Sequence, residues 1–447
     1  NNTPLQGAVF QVRNASNALV ATLTTNAQGK AQTGLLPLGT YSVTETSVPS
    51  PYILDSTPFS MTLAYKDMNT PVVVATKTIS NVAAQGRIEL TKQGTNNAPV
   101  QGAVFQVRNA SNTLVATLTT NAQGKAQTGL LPLGTYSVTE TSVPAPYILN
   151  ATPFNMTLSY KDMHTPVVVA TRTVSNAAAQ GRIELTKQGT NNAPVQGAVF
   201  QVRNSANTLV ATLTTNAQGK AQTGILPLGT YTVTETSVPS PYILNATPFN
   251  INVSYKDMNT PVVVATKTVS NAAAQGRLEL TKRGTNNAPV QGAVFQVRNS
   301  ANTVVATITT NAQGKAQTGL LPLGTYSVRE TSVPSPYILD ATPFNMTLTY
   351  KDMHTPVVVT TRTVTNEAAR GRLELTKQNE DNEPVQGAVY QVRNAAKTVV
   401  ATITTNAQGK AQTGLLPLGT YTVTETFVPA PYLLDTTPFN MTLTYKD

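Results

Sequence analysis

The sequence predicts an all-β protein, a linear array of tandem seven-stranded β-sandwich modules of immunoglobulin-like or transthyretin-like type. Three observations carry that reading. The string GAVFQVRN begins at Gly7, Gly102, Gly197 and Gly292 and returns as GAVYQVRN at Gly387, a period of 95 residues (102 − 7). A period this long exceeds that of helical solenoids and leaves each unit enough chain for its own core. Thr, Val, Leu and Tyr dominate between recurrent Pro and Gly turns, and no segment carries helical periodicity.

Five modules fit: an incomplete repeat over 1–81 lacking its first strand, full repeats over 86–176, 181–271 and 276–366, and an incomplete repeat over 371–447 lacking its last strand. The stretch absent between the two ends corresponds in register to 163–190, which is one last strand, one linker and one first strand. A window on a longer array is the simplest expectation; the alternative is strand addition by a neighbouring subunit.

The second repeat shows each strand in order. Strand one, 87–92, puts Ile88, Leu90 and Lys92 on one face, so a lysine joins the apolar side. Strand two, 103–108, aligns Ala103, Phe105 and Val107. Strand three, 114–120, ends at the turn Asn121-Ala122-Gln123-Gly124, whose Gly-Lys pair lacks the companions of a phosphate loop. A short fourth strand leads to the Pro132-Leu133-Gly134 turn. Strand five, 135–141, aligns Tyr136, Val138 and Glu140, adding a carboxylate. Strand six, 154–160, alternates Phe154, Met156, Leu158 and Tyr160. Strand seven, 167–176, brings Val174 and Asn176 to one face; Arg172 shares their parity, which predicts a bulge or a departure from the sandwich. All seven are expected to run antiparallel.

Bulk properties exclude several classes. At 40% hydrophobic residues the chain can build cores, but no apolar run approaches the ~20 residues of a membrane span. Cysteine is absent, so neither disulfides nor thiolate metal sites stabilise the modules. The net charge of +10 is scattered without a basic run, which describes a mildly basic surface rather than a nucleic-acid site. The two histidines, His164 and His354, precede Thr-Pro in a loop with no carboxylate cluster, so no metal or cofactor is expected. The Asn-x-Ser/Thr sequons, such as Asn14-Ala15-Ser16, are what an Asn- and Thr-rich β-protein contains by chance. No turnover-enzyme motif is present.

Lys92, Glu140 and Asn176 thus converge on the inward face, and the trio recurs as Lys187, Glu235, Asn271 and as Lys282, Glu330, Asn366. The first repeat keeps Glu45 and Asn81 without a lysine, and the last keeps Lys377 and Glu425 without an asparagine. Burying a lone charge costs several kcal/mol, so each must be paired, neutralised or consumed by reaction. One reading is a buried Lys-Glu ion pair with a hydrogen-bonded Asn, or strand ends that emerge into water. The other is a self-formed isopeptide bond, in which burial favours a neutral lysine that attacks the Asn carboxamide. The glutamate, as a protonated acid, would then hydrogen-bond the amide oxygen and help ammonia leave.

The succession ELTK, GAVFQVRN, TNAQGKAQTGLLPLGTYSVTETSVPAPY and a Val-rich strand ending in Asn resembles the collagen-adhesin B-type (Cna B-type, prealbumin-like) domains of Gram-positive surface adhesins and pilins, over the entire chain. The stretch from Tyr136 through Glu140 and Thr141 to Pro144 looks like that family's E-box. The resemblance implies a first-strand lysine joined to a last-strand asparagine and promoted by the E-box glutamate, on the three residues that parity selects. Pro146 stands where the family commonly has Gly, and Arg329 replaces the Thr before Glu330. It further implies an extracellular, cell-surface or cell-wall-attached protein that is not an enzyme. Its partners would be neighbouring repeats and identical subunits of a fibre, with no nucleic acid, no membrane insertion in this segment and an unknown host ligand. Stalk, self-assembling fibre and multivalent ligand-binding adhesin are the three functions left open.

Overall fold

The computed structural model describes residues 3–445. Each full repeat folds as two facing sheets. In the second, one sheet orders Phe154–Leu158, Gly134–Ser142, Val104–Arg108 and Leu114–Thr119, all antiparallel. The other centres on the first strand, Gln85–Gln93, with the last strand, Val167–Ser175, on one side and Lys125–Gln127 and Leu131–Pro132 on the other. Between them lie Ile88, Leu90, Phe105, Val107, Val138 and Leu158, the apolar set that period-two alternation selects. Each such side chain, fully buried, contributes about 1.5–3 kcal/mol.

Three details depart from expectation. The fourth strand is two short pieces that both pair with the first strand. The first and last strands run parallel, from Val167 beside Gln85 to Ser175 beside Gln93. Alternation fixes which face a side chain takes; it does not encode the neighbouring strand or its direction. Finally, that ladder has no register shift, so the bulge expected near Arg172 is absent. The last strand is an edge strand at the rim of the sandwich, where Arg172 stays exposed and lays its guanidinium 4.2 Å from the centroid of the Phe154 ring. Arg362 does the same over Phe344 at 4.2 Å, a cation–π contact that lets a charged residue cover apolar surface.

This sheet is less regular in the outer repeats. In the first, no strand is assigned among residues 64–82, which include the register equivalents of Val167–Ser175. In the fifth, the first strand is broken into Arg370–Gly371 and Glu374–Thr376.

Consecutive repeats meet through a recurring contact. Leu149 N–H donates to Met258 O at 2.8 Å, as Leu54 does to Met163 O at 2.9 Å and Leu244 to Met353 O at 2.8 Å. The hydroxyl of Tyr255 donates to Tyr147 O at 3.4 Å, with Tyr160 to Tyr52 O at 3.3 Å and Tyr350 to Tyr242 O at 3.2 Å as counterparts. The linker is tied down as well: Ala178 N–H donates to Thr95 Oγ1 at 3.1 Å, Ala179 N–H to Pro146 O at 2.7 Å and Gln180 N–H to Pro261 O at 3.0 Å. Among the described residues, no helix is long and apolar enough to cross a membrane.

Candidate functional site

Three elements bring the trio together. The first strand buries Gly86, Ile88, Leu90 and Lys92 in alternation, and Lys92 is held in place by its backbone: its N–H donates to Gly124 O at 2.6 Å and its carbonyl accepts from Val100 N–H at 3.1 Å. Gly124 has φ +70°, and a Cβ there would fall 2.3 Å from Lys92 O, so the turn requires glycine. The strand Gly134–Ser142 buries Tyr136, Val138 and Glu140, with the Tyr136 hydroxyl donating to Pro132 O at 2.7 Å. Asn176 follows directly on the last strand, and its N–H donates to Gln93 O at 3.0 Å.

The side chains meet in the interior. Lys92 is 0% exposed, Glu140 1% and Asn176 5%. The lysine Nζ donates to the Asn176 carboxamide oxygen Oδ1 and to Val174 O at 3.2 Å, and lies 3.5 Å from Glu140 Oε1. The Asn176 nitrogen Nδ2 donates to Glu140 Oε2 at 2.7 Å and to Ile148 O. The glutamate therefore faces the carboxamide nitrogen, where sequence reasoning placed it at the amide oxygen; that oxygen faces the lysine instead. Glu140 Oε1 has no hydrogen-bond partner among the described residues. Burial holds the Lys92 ammonium below its ordinary 10.5, although the charge of Glu140 pulls the other way.

The arrangement repeats. Lys187 Nζ donates to Asn271 Oδ1 and lies 3.6 Å from Glu235, and Lys282 Nζ donates to Asn366 Oδ1 and lies 3.3 Å from Glu330. Asn271 and Asn366 each donate to their glutamate at 2.7 Å. Burial lowers both lysines in the same way. In the first repeat Asn81 donates to Glu45 at 2.6 Å. In the fifth, Lys377, with a side chain 25% exposed, lies 3.1 Å from Glu425.

The geometry fits a single-turnover amide exchange: one carboxylate spans the nucleophilic amine on one oxygen and the departing nitrogen on the other. His164 and His354 stand exposed in loops, their N–H groups bonded to Asp162 at 2.9 Å and Asp352 at 2.8 Å.

A family model described as SpaA, prealbumin-like fold domain, matches residues 1–78, 86–173, 181–268, 276–363 and 371–447. The chain belongs to the SpaA prealbumin-like domain family. The SpaA repeats here also resemble several solved structures. The Bacillus anthracis TIE protein is 22% identical over 81% of this chain and 69% of its own, with a TM-score of 0.47. BcpA, the major pilin subunit of Bacillus cereus, is 17% identical over 64% of this chain and 100% of its own, with a TM-score of 0.28. A mutant form of the shaft pilin SpaA from Lactobacillus rhamnosus GG is 17% identical over 43% of this chain and 98% of its own, with a TM-score of 0.20. No curated protein matches.

Within these SpaA repeats, sequence reasoning missed the loop 147–150. Its Tyr147 ring packs so close to Gly94 that a Cβ there would lie 2.2 Å from the ring. Its Ile148 carbonyl holds Asn176, and Asn150 N–H donates to Glu140 Oε2 at 3.2 Å. The segment PAPYILN has no periodicity to betray it. Also missed was Tyr390 of the fifth repeat, where the other four repeats have Phe. Its hydroxyl donates to Glu425 Oε1 at 2.7 Å, and burial, with the charge of Glu425 added, pushes that hydroxyl far above its ordinary range. The single Phe-to-Tyr change in GAVYQVRN was its visible signal.

Proposed function

We propose that this array is a tension-bearing stalk or fibre segment on the outside of a bacterial cell, each full repeat locked by an isopeptide bond between its first and last strands. The observation that carries the reading is the buried trio Lys92, Glu140 and Asn176, which bridges the strand by which the chain enters a repeat to the strand by which it leaves. Membership of a prealbumin-like domain family supports it.

In the reaction Glu140 Oε1 takes a proton from the Lys92 ammonium. The neutral amine attacks Asn176 Cγ, and the carboxyl returns its proton to the departing Nδ2. The Cγ–Nδ2 bond breaks and the Nζ–Cγ amide forms; the carboxylate then takes the extra proton from the amide nitrogen and passes it to the departing ammonia, which leaves as ammonium with the glutamate regenerated as a carboxylate. General acid–base help of this kind contributes about 10²–10⁴ in rate.

The intact mass of the denatured chain is the direct test: it should be lower than the sequence mass by three ammonias, one for each full trio. A mass equal to that of the unmodified sequence sinks the proposal. A pH dependence follows too. The reactive form, amine beside protonated acid, holds as many protons as the ion pair, so the rate is level while the pair keeps its one proton. It falls when that proton is lost. Because burial lowers Lys92, the fall belongs below pH 10.5, and ammonia release still accelerating at that pH would contradict the assignment.

A further inference from the structure

The contact between repeats reaches directly into the cross-linking site. Loop 147–150 of the second repeat touches every member of the trio's frame. Tyr147 rests on Gly94, two residues beyond Lys92; Ile148 O accepts from Asn176, Ile148 N–H donates to Ala177 O at 2.9 Å, and Asn150 N–H donates to Glu140. Two of these four residues are also held by the third repeat: Leu149 N–H donates to Met258 O, and Tyr147 O accepts from the Tyr255 hydroxyl. The Met258 side chain packs against the core of the second repeat, as Met353 packs against that of the third.

Both sides of this contact are partly buried: Met258 and Tyr255 on one, Ile148 and Leu149 on the other.

Resting on the cross-linking reading above, we propose that Met258 and Tyr255 are positioning residues for the Lys92–Asn176 reaction, and Met353 and Tyr350 for Lys187–Asn271: each repeat, once docked, presses the loop that holds the preceding repeat's asparagine and glutamate. Reaction between oriented groups is steep in geometry, and a misplacement of about 1 Å costs up to ~10²-fold. A loop that loses these contacts keeps fewer bonds to fix the carbonyl and amide that hold Asn176 and Glu140. Maturation of the array is thereby coupled along the chain, each bond forming faster once the repeat that follows has folded.

The test is a time course on freshly synthesised full chain, with protease digestion and mass spectrometry of the Lys92–Asn176, Lys187–Asn271 and Lys282–Asn366 peptides at each interval. In the Tyr255→Phe, Met258→Ala double variant, ammonia loss at Lys92–Asn176 should slow by roughly tenfold, while Lys187–Asn271 keeps its wild-type rate and so reports that the third repeat has folded. Met258→Leu, which conserves volume, should restore the rate. A double variant whose Lys92–Asn176 bond forms as fast as in the wild type overturns the proposal, as does a Met258→Leu chain as slow as Met258→Ala. Failure of the cross-linking reading is separate: the wild-type chain would then lose no ammonia at any site.

Discussion

Replacing Glu140 by Gln is expected to leave the second repeat folded but open, with ammonia loss at Lys92–Asn176 reduced by about 10²–10⁴ while the third and fourth repeats close at their normal rates. The glutamine fills the same volume and can still bond Asn176. It cannot carry a proton from Nζ to Nδ2. The lysine itself becomes no worse a nucleophile: burial already lowers it, and the Glu140 charge that opposes this effect is gone. A slow variant therefore isolates the proton relay from the supply of neutral amine. Peptide mapping that finds the variant closing as fast as the wild type would remove Glu140 from the mechanism.

Asn176→Ala is expected to change the response to force. The parallel ladder of the nine-residue strand Gln85–Gln93 with Val167–Ser175 loads in shear when the chain is pulled from its ends. With the bond in place, tension runs along the first strand to Lys92, crosses to Asn176 and leaves through the linker, so the 84-residue separation between them adds no length. Without it, rupture of the second repeat should release roughly 280–300 Å of chain at ~3.3–3.6 Å per residue, less the folded span. The variant keeps its Lys92–Glu140 pair, so no lone buried charge complicates the comparison. Closing a loop of this size contributes about 4–5 kcal/mol in the chain-entropy account used for disulfides. Single-molecule extension would show the extra step in Asn176→Ala and none in the wild type; an equal step in both contradicts the bridge.

What was legible in the sequence was the part governed by alternation. A two-residue period places Ile88, Leu90 and Lys92 together, and likewise Tyr136, Val138 and Glu140, and those faces are the buried ones. The trio was legible because a charge on an apolar face stands out. The parallel pairing of first and last strands was not, since side-chain period carries no information about strand partners. Arg172 misled for a related reason: its parity is inward, but its strand lies at the rim, where inward residues meet solvent and an aromatic ring. Loop 147–150 acts largely through backbone amides and carbonyls, and backbone groups are the same whatever the sequence.

The bonded linker also bears on digestion. Proteases take their substrates as extended strands whose backbone groups are free to pair with the enzyme. Between the second and third repeats, where a chain of separate modules would ordinarily be nicked, Ala178, Ala179 and Gln180 have all committed their N–H groups to neighbouring repeat surfaces. An attacking protease must first break these bonds to free the linker as an extended strand, so the segment is expected to resist cleavage.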